Sequence, residues 1–185
     1  MFQTPTTAPA NTACRCAAFD AKKPAGPVQV QRVFGDAATA TLMGKEPVMA
    51  CGPFLFGTQG DLIGSLECRN GTLQMNGREV FNFAATVVPK HIEKLLVKAD
   101  IQKEDIDCYL FHQGSRYIVE TLAKRLGIDR SKVRLGIEKI GNTVSSSIPL
   151  LLEHELKSNL SNKILLCGFG VGLSWASCIC ERRAN

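Results

Sequence analysis

Two residues of this chain combine reactive chemistry with a suitable setting: His112 in "FHQGS" and Asn142 in "GNTVSSSIP". Each falls where a buried element gives way to a loop or helix start, the place site residues occupy in α/β folds. A histidine there is more often a polar residue satisfied by its neighbours, so spacing alone does not assign catalysis. Two further segments carry glycine beside possible chemistry, "VFGDAATA" and "GFGVGLSW". The second suggests a phosphate loop, but "LSWASCIC" after it reads as strand, so no helix N-terminus is available to hold an anion. Asp36 in the first reads as structural, a carboxylate accepting backbone N–H groups in a turn.

Eight cysteines are present, and no two have the CxxC spacing of a zinc knuckle or redox pair. Cys51, Cys68, Cys108, Cys167, Cys178 and Cys180 lie in or beside apolar, strand-like stretches, where a free thiol behaves as a small hydrophobe. Reduced thiols are expected, and no metal site. The net charge is +5. Between Arg116 and Lys139 there are seven basic residues against three acidic ones. A solvated helix face accounts for most such charges, and a docking surface for an acidic partner is the functional alternative. Few aromatics and no recognition motif accompany them, which argues against nucleic acid.

The elements that must position these residues follow from periodicity. Hydrophobic residues make up 45% of the 185, enough for a real core. No apolar run approaches a membrane span, and "MFQTPTTAPANTA" lacks the order of a secretory signal, so a cytoplasmic location is expected. Residues 1–27, rich in Thr, Ala and Pro, read as a flexible tail, and 28–185 as one domain. "VQVQRVF", "ATATLM" and "PVMACGPFLF" read as adjacent strands, and Asn70-Gly71 as a hairpin turn. Apolar residues at Val80, Phe83, Ala84 and Val87, then at Ile92, Leu95, Leu96 and Ala99, predict two helices with a break at Pro89. "IDCYLF" is a buried strand, followed by a helix through Ile118, Val119, Leu122, Ala123 and Leu126 that stops at Gly127. "KVRLGIEKIG" is short and β-like, "SSSIPLLLEHEL" helical, and "KILLCGFG" with "LSWASCIC" an antiparallel pair. The result is an α/β fold.

"MNGREVFNFA", "VPKHIEKLL", "IDCYLFHQGSRYIVETLAKRLGI", "IEKIGNTVSSSIPLLL" and "LLCGFGVGLSW" follow one another in an order and spacing that resemble the C-terminal half of 3-oxoacyl-acyl-carrier-protein synthase III. The similarity runs from about Val30 to about Glu181. It implies one half of a thiolase-like fold, a five-stranded mixed sheet with helices on its faces. It also implies an acyltransferase component of a decarboxylating Claisen condensation, of fatty-acid or polyketide type. Acyl-CoA and malonyl-acyl-carrier-protein would be its thioester substrates, with no separate cofactor. In that family the matching His and Asn act on the malonyl thioester, which places the role on His112 and Asn142. Both can point N–H donors at the oxygen where enolate charge builds.

The resemblance also marks departures. The family's nucleophilic cysteine lies in the other half, and none of the eight cysteines here sits in a matching turn before a helix. The family's three consecutive glycines become Gly170, Val171 and Gly172, where a backbone N–H would line an oxyanion hole and Val171 requires a negative φ. Ser115 stands where the family tends to have Asn. The implied partners are acyl carrier protein, docking on Arg116, Lys124 and Arg125, and an N-terminal condensing-enzyme half or a dimer partner. Nucleic acid and membrane are not expected. A non-catalytic fragment or scaffold that keeps the fold and binds such partners is the alternative.

Overall fold

The computed structural model describes residues 11–16, 33–70 and 72–183. Its centre is a four-stranded mixed sheet in the order β3-β8-β7-β6, formed by β3 (Met49–Thr58), β6 (Cys108–Phe111), β7 (Lys163–Gly170) and β8 (Ser174–Arg182). β6 and β7 run parallel, while β7–β8 and β8–β3 are antiparallel. The expected fifth strand is reduced to one parallel bridge from Tyr109 to Val133. Gly136 then turns the chain into the helical turn α3 (Ile137–Ile140), where the sequence reading had a β segment.

Helices cover both faces. On one side α1 (Gly77–Ala99) and α2 (Arg116–Leu126) bury Val88, Ile92, Leu95, Val119 and Leu122 against Tyr109, Phe111, Leu165 and Ile179. On the other, α4 (Ser147–Ser158) lays Ile148, Leu151 and Leu152 over Cys108, Leu110 and Ile164. Ser115 caps α2 by accepting the Ile118 N–H at 3.1 Å, and Gly127 ends it at φ 61° as anticipated.

Pro89 does not break α1, contrary to the sequence reading. The helix runs through it because the two apolar stripes fall on one continuous buried face. Burying Val88, Ile92 and Leu95 at about 1.5–3 kcal/mol each outweighs the ~3 kcal/mol that an interior proline costs.

β2 (Thr39–Gly44) and β3 are consecutive but do not pair, a second correction. β2 pairs instead with β1 (Asn11–Cys16), which lies inside the segment read as a tail. The rest of residues 1–27, and most of "VQVQRVF", lie outside the described residues. β4 (Leu66–Arg69) and β5 (Thr72–Met75) form the expected hairpin, with Asn70 at φ 51°.

Candidate active site

His112 follows β6 directly, and its N–H donates to the Cys167 carbonyl of β7 at 2.9 Å. The site therefore lies at the carboxyl ends of the two parallel strands, where α/β sheets place ligands. Phe169 of β7 meets the imidazole edge-on, with ring centroids 5.3 Å apart. This contact sets His112 against the strand that leads into the glycine-rich turn.

Asn142 is placed by backbone rather than by a strand of its own. It follows α3, and its N–H donates to the Val33 carbonyl at 2.8 Å while its carbonyl accepts the Gly35 N–H at 3.0 Å. Phe34 and Asn142 thus form a parallel bridge. The approach is so close that a Cβ on Gly35 would lie 1.9 Å from the Ile140 carbonyl oxygen, and Gly141 fits only by taking φ 65°. The reading of Asp36 as a carboxylate that accepts backbone N–H groups is corrected: it is Gly35 that makes the "VFGD" segment structural. Asp36 is exposed and its carboxylate accepts no hydrogen bond among the described residues.

The turn after Asn142 ties the two site residues into one network. Val144 N–H donates to Asn142 Oδ1 at 2.9 Å, the Ser147 hydroxyl donates to the Val144 carbonyl at 2.8 Å, and Ser147 Oγ is 3.1 Å from His112 Nδ1. A backbone N–H can only donate, so the atom facing it must be the amide oxygen of Asn142. Its N–H₂ end is thereby left to donate elsewhere.

His112 is half-buried, and Nε2 has no hydrogen-bond partner among the described residues. Burial pushes its pKa down to about 4, with the Val144 carbonyl opposing the shift, so the ring is neutral at pH 7. Ser147 has one proton and two acceptors for it. Given to Val144, the shorter contact, it leaves the hydrogen on Nδ1; rotated to Nδ1, it leaves Nε2–H as a free donor, so donation from Nε2 requires the hydroxyl to turn away from Val144.

Gln113, Gly35, Ser146 and Ser147 are the residues that the sequence reading missed. Gln113 is fully buried; its amide donates to the Phe111 carbonyl at 2.8 Å, and its oxygen accepts the N–H groups of Gly136 and Ile137 at 3.0 and 3.3 Å. It thereby fixes the segment that leads to Asn142. Ser146 donates to the Ala37 carbonyl at 3.4 Å and accepts from Thr39 at 3.3 Å. The only sequence signal for Gln113, Ser146 and Ser147 was nearness to His112 and Asn142 along the chain, and for Gly35 there was none beyond its place in "VFGD".

α4 is held by Arg134, whose guanidinium grips buried Glu155 at 2.5 and 3.2 Å, with the Ser161 hydroxyl adding a bond at 2.8 Å. Burial alone would raise the pKa of Glu155; the guanidinium and the hydroxyl overcome it and hold the carboxyl below its usual value. Ser147 lies on the first turn of the helix so anchored.

The turn after β7 places Gly170 at the strand end, Val171 at 60% exposure and Gly172 at φ 138°. Val171 is not among the positive-φ residues, which meets the condition its side chain imposes. The end of β3 braces this turn: Gln59 and Leu173 exchange backbone bonds at 2.8 and 3.2 Å, and the Thr58 hydroxyl donates to the Leu173 carbonyl at 3.2 Å.

No activated thiol sits at this edge among the described residues. Cys167 is the nearest in the ladder, but it is buried and burial pushes it up to about 12. Cys51 is low, at about 6, yet it lies seven residues along β3 from Thr58, roughly 23 Å away. Among the three basic residues expected to dock a carrier protein, Arg116 is engaged by Glu120 and Glu138. Lys124 and Arg125 are exposed, and neither forms an ion pair among the described residues.

Residues 96–182 match the family model described as 3-Oxoacyl-[acyl-carrier-protein (ACP)] synthase III C terminal. The β-ketoacyl-[acyl-carrier-protein] synthase III of Lactococcus lactis subsp. cremoris is 34% identical over 167 residues, covering 80% of this chain and 51% of that protein. That of Staphylococcus epidermidis is 36% identical over 154 residues, covering 80% and 49%. The chain spans about half the length of the curated relatives it matches. The crystal structure of 3-oxoacyl-[acyl-carrier-protein] synthase III from Aquifex aeolicus superposes with a TM-score of 0.85 at 27% identity, covering 93% of this chain and 58% of that one. The priming β-ketosynthase of the R1128 polyketide pathway gives 0.77 at 28% identity, covering 86% and 53%.

Proposed function

Since residues 96–182 belong to the 3-oxoacyl-[acyl-carrier-protein] synthase III C-terminal family, we propose that this chain supplies the decarboxylating half of a Claisen-condensation site. Its substrate is a malonyl thioester carried on acyl carrier protein, and the starter is an acyl-CoA. The observation that carries this reading is the orientation of Asn142. Its oxygen is spent on the Val144 N–H, which leaves its N–H₂ free to donate, and His112, joined to it through Val144 and Ser147, is neutral.

Loss of CO₂ breaks the bond between the carboxylate and the α-carbon, and the electron pair moves through that carbon onto the thioester oxygen. Two fixed N–H donors aimed at this oxygen stabilise the charge as it develops and need no proton transfer. His112 serves in the tautomer in which Ser147 gives its proton to Nδ1 and Nε2 carries the hydrogen. The resulting carbanion equivalent attacks an acyl group held on a cysteine supplied by a completing thiolase-like half.

That half has apolar surface to cover. Leu42 and Met43 on β2 and Leu156 and Leu160 at the end of α4 are all exposed. A non-catalytic scaffold is the second reading, favoured by the lack of an activated thiol beside His112 among the described residues.

Reconstitution with the N-terminal half of the Lactococcus relative separates the two. The assembled enzyme should decarboxylate malonyl-acyl-carrier-protein. His112→Ala or Asn142→Ala should slow that step by about 10²–10³-fold while acyl transfer to the cysteine proceeds. Assembly without decarboxylation would leave the scaffold reading.

A further inference from the structure

Away from the site, three sulfur atoms meet on one sheet face. Cys51 of β3 and Cys180 of β8 are directly opposed in the antiparallel register, with Sγ atoms 3.3 Å apart. Cys178, two residues back on β8, is 3.9 Å from Cys180. The face is the one α4 packs on, since Cys180 opposes Ile164 and Ile164 opposes Cys108. Cys180 is 1% exposed, whereas Cys51 is open to solvent. One sulfur is therefore reachable and its neighbour is not.

We propose that Cys51 and Cys180 form a peroxide-reactive dithiol, in which hydrogen peroxide oxidises Cys51 and Cys180 closes a cross-strand disulfide. The Cys51 thiolate attacks one peroxide oxygen, the O–O bond breaks, and the departing hydroxide is protonated to water, leaving a sulfenic acid. The Cys180 sulfur then attacks the Cys51 sulfur. The S–O bond breaks, and hydroxide leaves as water with the Cys180 proton. Two thiol hydrogens and one peroxide become one disulfide and two waters.

Geometry selects this pair. Opposed residues on antiparallel neighbours have Cα atoms about 4.5–5.5 Å apart, inside the range a disulfide spans. Closing the sulfurs from 3.3 Å to about 2.05 Å needs side-chain rotation only. Cys178 and Cys180 are successive same-face residues of one strand, with Cα atoms about 6.6 Å apart, near the outer limit for bridging.

Electrostatics and exposure together select the attacking sulfur: the Cys180 contact lowers Cys178 as well, but Cys178 is buried and Cys51 is exposed. A hydrogen bond from the Cys180 thiol lowers Cys51 to about 6, against the opposing effect of burial. The same contacts with Cys178 and Cys51, together with burial, raise Cys180. At pH 7 the thiolate fraction of Cys51 is about thirtyfold that of an ordinary thiol, offset by roughly tenfold lower intrinsic nucleophilicity. The rate advantage is small, so the product is the decisive readout.

The full reduced chain is treated with hydrogen peroxide, quenched with catalase, blocked with N-ethylmaleimide and peptide-mapped by mass spectrometry. A peptide crosslinked through Cys51 and Cys180 is expected, with both positions lost to maleimide together. Cys180→Ser should trap Cys51 as a sulfenic acid that dimedone labels. Cys68, the other exposed thiol among the described residues, has no described sulfur within bonding reach and should stop at sulfenic acid. Wild-type chain in which Cys51 accumulates as sulfenic acid while Cys180 stays alkylatable would overturn the proposal. So would a Cys51 that resists peroxide or pairs with another cysteine.

Discussion

Val144 and Asn142 are bound two residues apart, backbone N–H to side-chain Oδ1 at 2.9 Å, and Val144 holds that bond with φ at 51°. A β-branched residue in the left-handed region is strained by about 1–3 kcal/mol. The strain is retained where its backbone meets Asn142 through N–H and Ser147 through C=O. Val144→Gly removes it and adds about 0.5–1 kcal/mol of unfolding entropy. A net gain of roughly 1 kcal/mol is expected, read as a higher urea midpoint at unchanged m.

Gly35→Ala should act in the opposite direction. Its Cβ would fall 1.9 Å from a backbone oxygen, which cannot rotate away as a side chain can. The segment at 33–35 must separate from Asn142, at about 3 kcal/mol. Amide exchange at Asn142 and Gly35 should accelerate more than exchange in β7.

The titration of His112 gives a pH signature. Its folded pKa is near 4, below the unfolded value, so between about 4 and 6.5 the unfolded chain binds the extra proton. Stability from this group is complete above about pH 6.5 and declines as pH falls toward 4. NMR titration should place the imidazole midpoint near 4, and His112→Gln should flatten that part of the stability profile. Nitrogen shifts report the tautomer at the same time: hydrogen on Nε2 suits the proposed donor, and hydrogen on Nδ1 alone opposes it.

Glu155→Gln tests the anchor of α4. Removing one charge of a buried ion pair costs about 3–5 kcal/mol. The folded carboxyl lies below its usual value, so wild-type stability from this pair is present above that value and is lost as pH falls through the depressed one. The variant should lack this acid-side loss in urea melts.

Carrier-protein docking should depend on Lys124 and Arg125 more than on Arg116, because Arg116 is already answered by Glu120 and Glu138. Reversing both exposed charges should weaken binding of an acidic acyl carrier protein about tenfold, and salt should weaken the wild type. Reversal of Arg116 alone should matter less. Fluorescence anisotropy at two ionic strengths measures each case.

Much of this arrangement was legible in the residues. The strand before His112, the helix ending at Gly127, the hairpin at Asn70 and the last antiparallel pair all carry local signals. What could not be read depends on contacts between distant segments. Gly35 reaches Asn142 across more than a hundred residues, and Gln113 bonds the backbone of Gly136 from another loop. Pro89 misled because a local rule was overridden by a face buried along its whole length.

β3 hydrogen-bonds within its sheet only to β8, which follows it by more than a hundred residues. On the ribosome, at about 5–20 residues per second, Phe54 and Phe56 wait roughly 6–25 s for Cys178 and Ala176 to be made. During that interval the apolar stretch from Phe54 to Phe56 has unpaired N–H and C=O groups, a template for pairing with another nascent chain. Yield should therefore respond to the speed of translation after codon 58 and to holdase chaperones more than to substitutions that alter only the equilibrium stability of the finished fold.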